Sequence, residues 1–337
     1  MRRLRAAFHR RRGLRGEDLP EILSYLEQER LLHHAGGRWH WTSESYPADA
    51  VSLRSVSSDN FVVQDITHEP RIVAEVDYDS APSTLHEKAV YLLEGSTYFV
   101  EKYDHLERRA HVRQADLDYY TDAITYTKVK ILDRFAMEPA AQVRKTHGEV
   151  HVTSQVVGFK KLKFHTNENV GSGDLQMPEN EKHTTSYWLT VPREIMTALS
   201  FGREERRDGI LALSHTLGQM AALFLMCDRH DLGVALGDNS QGEAMVDRDA
   251  RGLQRLRQEP APGDDYEPNI FIYDNYPGGI GLSEPLFRLH DRLVAESQSL
   301  IASCPCRDGC PSCVGPAGEV GSQGKEVALA LLRVILG

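Results

Sequence analysis

No apolar run in the 337-residue sequence approaches the roughly 20 residues that a bilayer crossing demands, and no apolar h-region follows the arginine cluster at the start. The expectation is a cytoplasmic protein without a membrane partner. Cysteine is scarce: there are five, and four of them fall between Cys304 and Cys313. A disulfide framework would spread its cysteines to staple distant segments, so this crowding suits a reducing compartment and a metal. Neither HExxH nor GxSxG occurs, which removes the common hydrolytic signatures. Gly321-Ser322-Gln323-Gly324-Lys325-Glu326 lacks both the spacing and the Ser/Thr of a P-loop. There is no internal repeat or low-complexity block. Net positive charge is missing too: the balance of −10 argues against a uniformly basic nucleic-acid binder, so cations must be sought in local patches.

What is present is a chain with 41% hydrophobic and 26% charged residues, enough for a sizeable core and about two domains. Leu19 to Leu32 has apolar residues at helical spacing, with Asp18 as N-cap and Pro20 in the first turn; Gly36-Gly37 then leads into Arg38-Trp39-His40-Trp41, a hairpin strand. Helix then hairpin suggests the end of a winged helix, with Trp39 and Trp41 on one strand face against the helix. From about Phe61 to Thr190 the chain is β-rich. The clearest element is the hairpin of Val90 to Leu93 and Thr97 to Tyr103, and further strands are expected over 71–78, 126–132, 150–164 and 186–191. Residues 167–182, with Gly171-Ser172-Gly173, read as a loop. Beyond Pro192 the pattern is helical: a buried helix over 210–226, an exposed linker over 247–265, a buried strand at 269–273, and helices over 283–303 and 325–336. The fold class expected is α+β: a partial winged helix over residues 1–56, then, over 57–337, a β-rich domain with flanking helices and a C-terminal four-cysteine zinc site.

Cys304, Cys306, Cys310 and Cys313 supply the four thiolates of a closed tetrahedral zinc site, on two knuckle-like turns shaped by Pro305, Gly309 and Pro311. Four cysteines also ligate iron–sulfur clusters, and buried free thiols are the plain structural alternative. With no open coordination position, the metal would organise the fold and do no chemistry. Cys227, on the apolar helix, reads as core. Asp274 with Gly278, Gly279 and Gly281, between strand and helix, has the look of a phosphate-binding turn. Glu284 stands where the dinucleotide fingerprint needs glycine, which favours a structural turn packed near the metal. Two basic clusters are DNA-contact candidates: Arg2, Arg3, Arg5, Arg10, Arg11 and Arg12 at the start, and Lys160, Lys161 and Lys163 in a strand. A solvated leader and a lysine-protected edge strand are the structural alternatives.

Several segments together resemble one family, the superfamily 2 DNA helicases related to the bacterial mitomycin repair factor and the RecQ4-like helicases. They are Trp41 with Tyr46-Pro47-Ala48 and Val51-Ser52-Leu53-Arg54, then 86–104 and Asp118-Tyr119-Tyr120-Thr121, then Tyr273-Asp274-Asn275-Tyr276-Pro277-Gly278-Gly279-Ile280-Gly281-Leu282 and the cysteine cluster with Gly309-Cys310-Pro311-Ser312-Cys313. The resemblance runs from about residue 19 to 314 and implies a winged helix plus zinc-binding domain that grips DNA beside an ATP-driven motor. The P-loop and the acidic helicase box of that motor are missing. The resemblance therefore implies an accessory, non-catalytic DNA-binding and scaffolding module, working with a motor in cis or in trans. A zinc-stabilised protein–protein scaffold of a repair or phage-defence complex is the alternative.

Overall fold

The computed structural model describes residues 19–42, 60–238, 244–247 and 266–337. The N-terminal arginines, the Tyr46 to Arg54 segment and the expected linker lie outside these residues, except that Asp247, the linker's expected first residue, ends a strand. The chain divides into two compact units, Met1–Ser58 and Asp59–Gly337.

In the first unit, α1 (Leu19–Gln28) is followed by the hairpin β1 (Leu32–Ala35) and β2 (Arg38–Trp41). The helix expected to reach Leu32 stops earlier. Arg30 adopts a left-handed φ of 59°, while Arg30 N–H donates to the Glu27 carbonyl and Leu31 N–H to the Leu26 carbonyl. That pair of bonds is the Schellman arrangement that ends helices, and it frees Leu32 for the strand. Gly36 and Gly37, with φ of 60° and 73°, make the two-residue turn that hairpin twist requires. The Trp39 ring stacks on His34 at 4.5 Å.

The second unit carries two sheets. In the smaller, β3 (Phe61–Asp65), β4 (Arg71–Val76), β5 (Val90–Leu93), β6 (Ser96–Asp104) and β7 (Arg109–Gln114) run in the order β4-β3-β7-β6-β5 around Phe61, Val63, Val100 and Val112. A one-turn helix, α2 (Ala81–Thr84), follows β4. The larger sheet is built on the hairpin of β8 (Tyr119–Ala140) and β9 (Val143–Lys163), with β10 (Asn169–Asp174), β11 (Asn180–Thr190), β12 (Leu232–Asp238), β13 (Ala244–Asp247) and β14 (Pro268–Asp274). Its order is β12-β14-β11-β9-β8-β13, with β10 paired to β9.

Two sequence expectations change here. The stretch 167–182 contains β10 where a loop was expected, because pairing with β9 overrides its glycine content: a Cβ at Gly173 would lie 2.6 Å from the Phe159 ring, so glycine is what that close pairing needs. Strands β8 and β9 far exceed the segments expected, since register slips near Ile124, Ile131 and Arg134 interrupt the period-2 pattern.

The helices α3 (Arg193–Ala198), α4 (Arg203–Leu225), α5 (Ser283–Arg288), α6 (His290–Ser303), α7 (Ala317–Val320) and α8 (Gly324–Leu336) build a layer against this sheet. Alternation on the strands divides the core. Tyr187, Leu189, Ile270 and Ile272 join the helices, whereas Trp188 and Phe271 join Val129, Val150 and Val152 in a second cluster. Every residue of β14 is buried, which explains its unbroken apolar reading. The single helix expected over 283–303 is divided at Leu289, next to which His290 bonds the Tyr187 hydroxyl at 2.7 Å. Ser283 does not cap it, its hydroxyl donating to Thr185 instead.

Helix α4 meets α8 at Gly209, where a Cβ would fall 2.2 Å from a Val327 methyl group. Replacing Gly209 by Ala is therefore expected to lower unfolding stability by about 1–3 kcal/mol in urea titration, despite alanine's better helix propensity. A stabilised variant would show that the two helices are not held at this spacing.

Candidate metal centre

The cysteine run sits where three helices converge. Cys304 caps α6, its N–H donating to the Leu300 carbonyl at 3.2 Å, and the chain then turns back through Cys306. In the second turn the N–H groups of Cys313 and Gly315 both reach the Cys310 carbonyl at 3.0 Å. Gly309 has a φ of 122°, which a side chain would strain.

The turns fold the four sulfurs together. Sγ separations are 3.5 Å for Cys304–Cys306, 3.6 Å for Cys304–Cys310, 3.4 Å for Cys306–Cys313 and 3.6 Å for Cys310–Cys313, and all four lie within 4.8 Å of one another. A zinc ion with bonds of about 2.3 Å would set tetrahedral sulfur edges of about 3.8 Å, so the set fits the ion with only small outward adjustment. All five cysteines of the chain are free thiols.

Neighbours fix the turns from both sides. Lys325, at the start of α8, donates from Nζ to the carbonyls of Cys304 at 2.8 Å and Cys306 at 2.6 Å and lies 3.5 Å from Cys306 Sγ. From α4, Thr216 donates to the Cys313 carbonyl at 3.0 Å and Gln219 to the Pro311 carbonyl at 2.9 Å. Burial raises the Cys306 thiol, but hydrogen bonds from the other three thiols and from Lys325 outweigh it and bring it down to about 7. Four thiolates around a divalent ion leave two negative charges, and the Lys325 ammonium offsets one of them. Lys325 therefore braces the turn that carries Cys304 and Cys306. The sequence shows it only as a failed P-loop lysine, because its partners are backbone carbonyls about twenty residues away.

Asp274, Gly278, Gly279 and Gly281 form a closed turn between β14 and α5. Asp274 Oδ2 accepts from the N–H groups of Ile280 at 2.8 Å, Gly281 at 2.8 Å and Leu282 at 3.0 Å. Three left-handed glycines, with φ of 86°, 71° and 91°, aim those groups inward. The chain's own carboxylate thus fills the nest that a phosphate would need. Thr184 ties the Asp274 and Tyr276 carbonyls at 2.7 and 3.0 Å, and Lys182 holds Asn275 Oδ1 at 2.7 Å.

The strand lysines do not form one row. In β9, Lys161 and Lys163 project to one face, where Lys161 Nζ lies 5.0 Å from the Tyr119 ring centre, and Lys160 projects to the other, opposite Asp122.

With this geometry in place, the chain can be compared with known proteins. A family model described as the MrfA Zn-binding domain matches residues 213–314, which take in most of α4 and all four clustered cysteines. The chain is homologous to part of the MrfA helicase family. It is 38% identical over 318 residues to the uncharacterized ATP-dependent helicase YprA of Bacillus subtilis, covering 94% of this chain and 39% of that protein. It is 26% identical to the ATP-dependent helicase HRQ1 of Saccharomyces cerevisiae, over 84% of this chain and 26% of that one. A crystal structure of the DUF1998 helicase MrfA bound to DNA superposes with a TM-score of 0.56 at 37% identity, covering 94% of this chain and 39% of the other. The chain thus spans about two-fifths of the length of YprA and of that MrfA structure. Zinc is the metal of this domain, in agreement with the four-thiol cluster. Among the described residues, no helix is long and apolar enough to cross a membrane.

Two measurements test this region. Elemental analysis should give about one zinc and no iron per chain, and Cys310→Ser should loosen the C-terminal half, exposing the apolar face around Leu286, Leu289 and Leu293 to a fluorescent dye. Equal stability after complete zinc removal would contradict the assignment. For the turn, burial outweighs four backbone N–H bonds and raises Asp274 above the usual carboxylate range. The folded state then holds this proton more tightly than the unfolded state, so the carboxyl's contribution falls as pH rises from about 4 through the raised value and is constant beyond it. The stability difference between wild type and Asp274→Asn should follow that curve. A difference that grows with pH would reverse the sign and sink the argument.

Proposed function

We propose that this chain is the non-catalytic DNA-binding and scaffolding part of a 3′–5′ DNA repair helicase, a winged-helix-like segment over residues 1–56 joined to a zinc-binding domain over 57–337. Its zinc is held by Cys304, Cys306, Cys310 and Cys313. The carrying observation is the alignment: almost the whole chain matches ATP-dependent helicases, yet only about two-fifths of the bacterial relative is matched, and the sequence has no P-loop. Helix α1 followed by the β1–β2 hairpin supports the winged-helix reading, and the DNA-bound MrfA structure supports the DNA partner. In this reading the motor acts in cis or in trans. The zinc is structural, because four thiolates leave it no site for water.

The N-terminal arginines and Lys161 with Lys163 are the proposed phosphate contacts. A competing reading, a protein–protein scaffold with little DNA affinity, draws on the net charge of −10. The two part on salt. Binding through phosphates must weaken with a log–log slope of about −0.9 per duplex contact, and Arg10, Arg11 and Arg12 changed together to Ala should flatten that slope for unrelated sequences alike. The chain should hydrolyse no ATP with or without DNA. Salt-independent binding, or turnover abolished at Lys325, would overturn the proposal.

A further inference from the structure

Near the β8–β9 turn, the larger sheet opens into a groove of about 260 Å³. Its floor is made by Thr146, Trp188, Thr190 and Asn269, all nearly buried, and Ile131 and Met137 supply an apolar rim. Arg134 and Arg144 complete the wall. The opening is built into the backbone. Strand β8 slips register between Ile131 and Asp133 and again between Arg134 and Ala136, bulges of the kind that re-aim side chains. Opposite Arg134 stands Gly148, where a Cβ would lie 2.1 Å from the Asp133 carbonyl oxygen and 3.0 Å from the Trp188 ring.

Among the described residues, three of the groove's donors are unspent. The Arg134 guanidinium, the Thr146 hydroxyl and the Asn269 amide nitrogen make no hydrogen bond or ion pair among the described residues, since the Thr190 hydroxyl occupies only Asn269 Oδ1, at 2.5 Å. Arg144 is held by Glu267 at 3.2 Å, with both side chains partly exposed, so a stronger anion can exchange for that carboxylate. Two guanidinium groups beside neutral donors and an apolar rim match a phosphate carrying a sugar and base.

We propose that this groove holds one phosphodiester-linked nucleotide of single-stranded DNA. The phosphate sits on Arg134 and Arg144, the sugar and base rest on Ile131 and Met137, and Thr146 and Asn269 donate to the nucleotide's acceptors. The inference rests on the DNA-binding reading above and adds to the two basic clusters proposed there a contact on the larger sheet.

The test measures fluorescence anisotropy of labelled oligo-dT with the full zinc-loaded chain across a salt series. Arg134→Ala and Arg144→Ala should each weaken binding about five- to tenfold and make the log–log slope shallower by about 0.7, the single-strand value for one phosphate contact. Glu267→Gln, which releases Arg144, should tighten binding about twofold, a gain that misfolding does not produce. Free dTMP should compete only at far higher concentration than the oligonucleotide. Unchanged affinity and slope in a double arginine variant with wild-type circular dichroism would remove the groove and leave the DNA-binding module standing. Equal competition by dTMP would assign the groove to a free nucleotide and overturn the single-strand proposal. Wild-type protein that binds no DNA would overturn both readings together.

Discussion

In the C-terminal half of this chain, ten residues of backbone bring four sulfur atoms within 4.8 Å of one another, close enough to share one ion. Those residues contain few apolar side chains. Their shape is enforced from outside, by the Lys325 ammonium on the carbonyls of the first turn and by Thr216 and Gln219 on those of the second. A tetrathiolate zinc site can contribute on the order of 10 kcal/mol at neutral pH, comparable with the whole stability of a domain. Helices α4, α6 and α8 meet there, and the same helices cover the sheet at Tyr187, Leu189, Ile270 and Ile272. Holding the knuckles therefore also fixes the helix layer that covers one face of the sheet.

The turn between β14 and α5 works by the same logic without a metal. Its N–H groups converge as they would on a phosphate, but Asp274 supplies the negative charge internally. Burial of that carboxylate costs stability at neutral pH. In exchange, the path from the fully buried β14 into α5 and α6, and so towards the cysteines, is fixed by hydrogen bonds and does not depend on a ligand.

What the sequence revealed follows from the range of the interactions concerned. The cysteine cluster, the Val90 to Tyr103 hairpin and the buried strand before Asp274 were legible because their determinants lie within about ten residues. The lengths of β8 and β9 were not, because bulges shift the alternation, and β10 exists only through its pairing with β9. Lys325, Thr216 and Gln219 carried no local signal, since each acts on a carbonyl many residues away. The same holds for Arg134 and Arg144, which lie ten residues apart in sequence on different strands and line the same groove. The lysine run shows the converse error: adjacent cations in a strand look like one patch on paper and point to opposite faces in the fold.

The most direct measurement of the central claim is X-ray absorption at the zinc edge of the purified chain. A shell of four sulfur scatterers at about 2.3 Å and no nitrogen or oxygen ligand is expected. A mixed shell, as would arise if His215, whose Nε2 lies 3.1 Å from the Pro311 carbonyl oxygen, replaced a thiolate, or an absorption edge belonging to iron, would contradict it.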